Sequence, residues 1–189
     1  PKKVGLLAHF LKQKAVTRAL VFCRTKYGAD KIVRKLKRED ITALAIHGNK
    51  SQSARTKALQ HFKDGKVRVL IATDIAARGI DVEDISHVFN FDLPNEPETY
   101  VHRIGRTGRA GAKGVTIGFC AEDEHPYLPD IEKLIREHLI RLEDYPNRSE
   151  LEEPQPTELN PKRKEAKKKQ NRKRKPQNHR NRNRPSRNY

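Results

Sequence analysis

Five short apolar runs recur along the first 120 residues, at positions 18–23, 42–46, 67–72, 87–91 and 114–120, each bounded by charged or turn-forming residues. Runs of this length suit buried strands rather than helices. Helical spacing lies between most of them. Val4, Leu7, Ala8 and Leu11 keep it ahead of the first run. Tyr27, Ile32, Val33 and Leu36 line one face of a strongly basic stretch ahead of the second. Ala54, Ala58, Leu59 and Phe62 point inward from a helix that Ser51 caps and Asp64-Gly65 stops. After a Pro94 to Pro97 turn, residues 98–105 read as a helix. Residues 130–138, with Ile131, Leu134 and Ile135, read as the last one. Strands separated by helices pair in parallel and need helices on both faces of the sheet. The expected fold is therefore α/β, three layers around a mostly parallel sheet.

In such sheets ligands collect at the carboxyl ends of the strands. Arg24-Thr25, His47-Gly48 and Thr73-Asp74 each follow an apolar run directly. The densest basic stretch, Tyr-Val-His-Arg-Ile-Gly-Arg-Thr-Gly-Arg from Tyr100, brings His102, Arg103, Arg106 and Arg109 close together. Arginines at this spacing repel unless a polyanion or a phosphate chain neutralises them. Gly105 and Gly108 are costly inside a helix and mark an end where backbone and guanidinium groups come near a ligand. This cluster follows a helix rather than a strand, so its place on the same edge is an inference.

A phosphate-handling enzyme needs a phosphate cradle, a metal ligand and a means of neutralising charge. The cradle Gly-x-x-x-x-Gly-Lys-Ser/Thr is absent: the one Gly-Lys pair, Gly65-Lys66, is followed by Val67. Asp123-Glu124-His125 has the look of a magnesium-binding acidic box, but without a cradle it reads as the solvated first turn before the 130–138 helix. The charge-neutralising part remains. An arginine supplied from a neighbouring domain stabilises phosphoryl transfer, and Arg106 and Arg109 suit that role. Asp81, after Gly79-Ile80, could accept from ribose hydroxyls or serve as a local cap. Gln52 and Arg55 open a helix, where free N–H groups and the dipole favour phosphates; the plainer reading is an exposed helix start.

Val-Phe-Cys-Arg-Thr-Lys, His-Gly-Asn-Lys-Ser-Gln-Ser-Ala-Arg, Ala-Thr-Asp-Ile-Ala-Ala-Arg-Gly-Ile-Asp and His-Arg-Ile-Gly-Arg-Thr-Gly-Arg resemble, in order, motifs IV, IVa, V and VI of the DEAD-box RNA helicases, over about residues 1–138. The basic end of the chain looks most like the bacterial RhlE-type members. The resemblance implies a RecA-like second domain, the carboxyl-terminal half of a two-domain motor that opens short RNA duplexes and remodels ribonucleoproteins. It implies that Gly79 and Asp81 lie on the ATP side, Asp81 at the ribose, with Arg106 and Arg109 as arginine fingers. It implies that Arg24, Thr25, Gly48, Gln52, Arg55 and Thr73 face RNA, gripping its backbone without reading bases, and that Arg78 and His102 couple the two domains. The implied cofactor is ATP with Mg2+, the metal ligands lying in an amino-terminal RecA-like domain with the phosphate loop and acidic box. Alone, this chain is then expected neither to hydrolyse ATP nor to unwind RNA. The other implied partners are the ribosome and the RNA-degradation machinery. The alternative is a non-catalytic RNA-binding or annealing module. A DNA-directed motor of the same superfamily is disfavoured by His102, where the DEAH and RecQ types usually carry Gln.

Charge divides the 189 residues. Residues 160–189 hold 14 Lys or Arg and one acid, a net +13 of the total +17, with almost no apolar residues. The reading is a helicase domain over 1–140, a linker over 141–159 and a disordered basic RNA-binding tail over 160–189, binding by counterion release. Its single aromatic, Tyr189, leaves little capacity for stacking. Cys23 and Cys120 sit in apolar runs and read as buried, reduced thiols. No apolar run is long enough to span a membrane, so no membrane partner is expected and the cytoplasm is the expected location. The chain starts at Pro1 and has no Met, which suggests a piece of a longer protein.

Overall fold

The structure, a computed structural model, describes residues 2–80, 82, 84–108 and 114–142. The tail, and all but two residues of the linker, lie outside the described residues, as do Asp81 and Arg109. Five strands form one sheet: β1 (Ala19–Phe22), β2 (Ala43–Ile46), β3 (Val69–Ala72), β4 (His87–Asn90) and β5 (Val115–Gly118), in the order β2-β3-β1-β4-β5. Every neighbouring pair is parallel. Each strand sits inside an expected apolar run.

Helices α1 (Lys2–Leu11), α2 (Lys26–Lys37), α3 (Gln52–Lys63), α4 (Asp74–Ala77), α5 (Pro97–Ile104) and α6 (Leu128–Ile135) complete the fold, with a 3-10 helix at Glu122–Tyr127. Alternation along the strands sorts side chains between two cores. Ala19, Val21, Val69, Ile71 and Phe89 pack with Leu7 and Leu11 of α1 and Ile32 and Leu36 of α2. Leu20, Phe22, Leu70, Ala72 and Val88 pack on the other face with Ala58 and Phe62 of α3 and Ala76 and Ala77 of α4. This is the expected RecA-like three-layer arrangement. Phe22, Phe62 and Phe89 are fully buried, each contributing about 2–3 kcal/mol of apolar transfer. A small third cluster, Leu93, Tyr100 and Ile131, joins α5 to α6.

The helix faces depart from expectation at three points. Tyr27 is 71% exposed, because the buried stripe of α2 is Ala29, Ile32 and Leu36 and Tyr27 falls on the opposite side. Ala54 is exposed, since α3 meets the sheet only from Ala58 onward. Leu134 is exposed too: Ile131 makes the buried contact of α6, and the helix stops at Ile135 where Arg136 turns left-handed at φ 57°. The segment after β3 forms the one-turn helix α4, which no apolar periodicity announced.

Candidate functional site

Parallel pairing brings the strand ends level. Phe22 pairs with Ala72 and with Asn90, Ile46 with Ala72, and Asn90 with Gly118. The residues that follow, Arg24-Thr25, His47-Gly48, Thr73-Asp74 and Asp92, therefore leave the sheet along one edge.

Arg103 attaches α5 to that edge. Its Nε donates to Asp74 Oδ1 at 2.7 Å and its Nη2 to Asp74 Oδ2 at 2.8 Å. Its Nη1 donates to Asn90 Oδ1 at 2.9 Å and to the Asp92 carbonyl at 2.7 Å, and the guanidinium lies over the Phe22 ring, 5.1 Å from its centre. Arg103 is 3% exposed. It is thus a structural clamp, and the sequence reading that grouped it with ligand-facing arginines is corrected: its charge is neutralised within the chain. A sequence signal existed, for Tyr100, Arg103 and Thr107 form an i, i+3, i+7 stripe, and all three are buried.

One turn on, Arg106 donates from Nη1 to the Ile80 carbonyl at 3.0 Å, which holds its guanidinium beside the Gly79-Ile80 turn. Gly79 has φ +78°, a turn that disfavours side chains. Thr107 Oγ1 donates to the Ile85 carbonyl and anchors the end of the motif. Gly114 then passes so close that a Cβ there would lie 2.5 Å from Gly108 N and 2.8 Å from Thr107 Cβ. The clamp at 103 and the anchor at 107 fix the stretch between them, and with it the direction of Arg106. His102, on the outer face of α5, is exposed, as is Arg78.

At the ends of β1, β2 and β3 the groups are more open. Thr25 caps α2, accepting from Gly28 N at 3.0 Å, and Ser51 caps α3, accepting from Ala54 N at 3.2 Å. Arg55 Nη1 donates to Gln52 Oε1 at 3.2 Å, pairing these side chains on the first turn of α3. Thr73 is the N-cap of α4 but makes no side-chain cap bond. A Cβ on Gly48 would meet nothing within 4 Å. Behind Gly48, His47 is buried, its Nε2 3.1 Å from Asp30 Oδ2, and Lys50 Nζ lies 2.9 Å from Asp30 Oδ1. Burial would raise the Asp30 carboxyl, but Lys50 and His47 outweigh it and hold it below its ordinary range.

Arg24 differs from these. Its Nη2 donates to Glu124 Oε1 at 3.0 Å, and its backbone N to Asp92 Oδ2 at 2.8 Å. Glu124 is 2% exposed and also accepts from Lys3 Nζ at 2.6 Å, Leu93 N at 3.1 Å and Ala121 N at 2.9 Å. The reading of residues 123–125 as a solvated first turn holds for Asp123 and His125, which are exposed, and is corrected at Glu124, which ties α1, β1, β4 and the 3-10 helix together. Cys23 is buried with its thiol pushed up to about 12, chiefly by desolvation. Cys120 is only partly buried, contrary to expectation, and both cysteines are free.

The family described as helicase conserved C-terminal domain matches residues 2–111. An ATP-dependent RNA helicase, CshA of Listeria monocytogenes, is 43% identical over 142 residues, 75% of this chain but 27% of that protein. The chain thus spans about a quarter of the length of this relative. Among solved structures, the E. coli DEAD-box protein SrmB, bound to the regulator of ribonuclease activity A, is similar with a TM-score of 0.70 at 42% identity, covering 72% of this chain and 81% of that one. S. cerevisiae Dbp5 bound to RNA and ADP-BeF3 is similar with a TM-score of 0.65 at 36% identity, covering 69% of this chain and 35% of that one.

Proposed function

The chain belongs to the helicase conserved C-terminal domain family, in its DEAD-box RNA helicase branch, and on that premise we propose that it is the second motor domain of an ATP-dependent RNA helicase. The observation that carries this reading is a sheet edge at which neighbouring strands deliver Thr25, Gly48 and Thr73, with Arg106 held at the Ile80 carbonyl. Arg106, held there, faces a nucleotide bound in an amino-terminal domain, and Gly79, Asp81 and Arg109 share that task. Gln52, Arg55, Thr73, Thr25 and Gly48 receive the sugar-phosphate backbone of RNA.

What supports the RNA side is chemistry at the strand exits. The first turn of α3, where Ser51 already caps Ala54 N, sets the positive end of the helix dipole beside Arg55. The open space over Gly48 lets another backbone approach closely. Arg24 contributes through the charge it leaves at this edge, with its guanidinium held by Glu124. Arg78 and His102, both exposed, are placed to meet the partner domain. Contacts of this kind grip phosphate and sugar and read no bases.

What supports the nucleotide side is the pairing of a guanidinium with a glycine turn, a combination that fits the phosphates and ribose of a nucleotide. ATP with Mg2+, when bound, would supply the phosphoanhydride bond that is hydrolysed. This chain's residues orient the phosphates and neutralise the charge that develops on them. The sequence has no phosphate loop, so catalysis requires the amino-terminal domain. Local duplex opening, the RhlE-type assignment, RNA tethering by residues 160–189, contact with the ribosome or RNA-degradation machinery and a cytoplasmic location belong to the same proposal. Among the described residues no helix is long and apolar enough to cross a membrane.

The test is reconstitution. The chain is joined to an amino-terminal RecA-like domain carrying the phosphate loop, and RNA-stimulated ATP hydrolysis is followed with Arg106→Ala and Arg109→Ala. Loss of hydrolysis in both variants, and none from the chain alone, is the expected result. Hydrolysis by the chain alone, or full activity without either arginine, would overturn the reading.

A further inference from the structure

The exposed face of α2 carries an uninterrupted stripe that the functions above leave unused. Tyr27, Lys31, Arg34 and Arg38 recur at spacings of four, three and four residues, so they stack along one side of the helix. All four are exposed, and Tyr27 to Arg38 covers about 16 Å of helix axis. The helix has one acid, Asp30, and it is occupied by Lys50 and His47. Glu39, just past the helix, pairs with Lys12 at 3.0 Å. The cationic stripe therefore has no acidic residue on its own helix left to neutralise it.

The aromatic end of the stripe abuts the sheet edge described above. Tyr27 follows the Thr25 cap by two residues. Lys26 Nζ lies 5.3 Å from the centre of the Tyr27 ring and donates to Asn49 Oδ1 at 2.9 Å, next to Gly48. One cation thus joins the ring to the loop proposed to receive RNA backbone, while the ring stays 71% exposed. Exposed aromatic rings flanked by cations are what single-stranded nucleic acids use as stacking platforms, because every base offers a π-face.

Resting on the reading of the strand exits as an RNA site, we propose that α2 is an exit track for the same RNA: one base leaving the site stacks on Tyr27, and the following phosphates run along Lys31, Arg34 and Arg38. The ligand is the single-stranded flank of a bound RNA, beyond the nucleotides gripped at Gly48, Gln52 and Arg55. Tyr27 adds a base contact to a site that otherwise touches only backbone.

The test compares an RNA of about six nucleotides with one of about twenty, both oligouridine, binding to the full 189-residue chain. Tyr27→Ala is expected to weaken the longer RNA about tenfold, with Tyr27→Phe restoring it. Lys31→Glu with Arg34→Glu is expected to lower the salt slope for the longer RNA by about 1.4, the value for two single-strand phosphates. All four positions are exposed, and thermal melts of the variants check that each one folds. Photocrosslinking with 4-thiouridine in the longer RNA is expected to label Tyr27. Arg55→Ala separates the two readings. If it weakens both RNAs while the α2 variants change neither and Tyr27 stays unlabelled, the track is refuted and the strand-exit site stands. If Arg55→Ala changes neither RNA, the strand-exit site fails and the contiguous track fails with it.

Discussion

Arg103 and Asp74, twenty-nine residues apart in sequence, meet through two parallel charge-assisted hydrogen bonds of 2.7 and 2.8 Å, and that pairing joins α5 to the end of β3. Arg103 is 3% exposed but the Asp74 side chain is 40% exposed, so Asp74→Ala strands a buried charge, whereas Arg103→Ala leaves a cavity over Phe22 and takes the donor from Asn90 and the Asp92 carbonyl. Arg103→Ala is expected to cost about 2–5 kcal/mol in urea unfolding. Arg103→Lys keeps the charge but loses the fork and should recover only part of the loss. Equal stability in all three proteins would show that the clamp is ornamental.

Arg106 should behave in the opposite way. It is only partly buried and donates to the Ile80 carbonyl, so Arg106→Ala is expected to change unfolding free energy by about 1 kcal/mol or less. In the reconstituted enzyme the same change should lower the ATP hydrolysis rate by about a thousandfold. A stability loss matching that of Arg103→Ala would instead mark Arg106 as another clamp.

Two glycines make opposite predictions. Gly114→Ala forces a Cβ against Thr107 and Gly108, and the overpacking should cost about 1–3 kcal/mol, lowering Tm by several degrees. Gly5, exposed within α1, has nothing within 4 Å of a Cβ, so Gly5→Ala should add about 0.5–1 kcal/mol. Calorimetry on the two variants checks both signs.

Glu124 is the hub of Lys3, Arg24 and two backbone N–H groups. Glu124→Ala takes the acceptor from the two N–H groups, leaves Lys3 on the Phe91 carbonyl and Arg24 on the longer 3.4 Å bond to the Leu93 carbonyl, and is expected to destabilise by about 3 kcal/mol, with Glu124→Gln recovering part through the backbone bonds. Because Arg24 is then released from Glu124, RNA affinity should change together with stability, which separates this variant from Arg103→Ala. Chemical denaturation and RNA titration on one preparation provide the comparison.

Alkali should unfold the protein through buried neutral groups. Burial raises the Cys23 thiol from 9.0 to about 12 and the Tyr100 hydroxyl from 10.0 to about 12. Each resists ionising in the fold, so their contribution is complete below pH 9 and is lost as pH climbs toward 12. On the acid side, burial lowers His87 below its ordinary 6.5, so stability held above that value declines as pH falls through the lowered one. Melting temperatures across pH would reveal both flanks. At pH 8 the folded protein should leave Cys23 unalkylated while the partly exposed Cys120 reacts slowly; rapid labelling of both would contradict the burial.

The alternation of apolar runs and helical stretches determined the α/β class, the parallel pairing and the five strand positions, because periodicity is a local property that each segment carries in its own residues. It also marked the strand exits at Arg24, Gly48 and Thr73, since polar residues that follow a buried strand in a parallel sheet leave by the same edge. The Tyr100, Arg103, Thr107 stripe marks Arg103 as inward-facing, but sequence could not say what Arg103 meets there or where Arg106, three residues away, points. One became a clamp because the sheet order put Asp74 and Asn90 beneath it, and the other was aimed at the Ile80 carbonyl by the anchors on either side. Glu124 looked solvated and proved central, for its partners Lys3 and Arg24 lie 121 and 100 residues away. Tyr27 looked buried and came out exposed, because helix phase depends on which residues first touch the sheet. Electrostatic partnership and burial are relations between distant segments, and only folding brings the segments together.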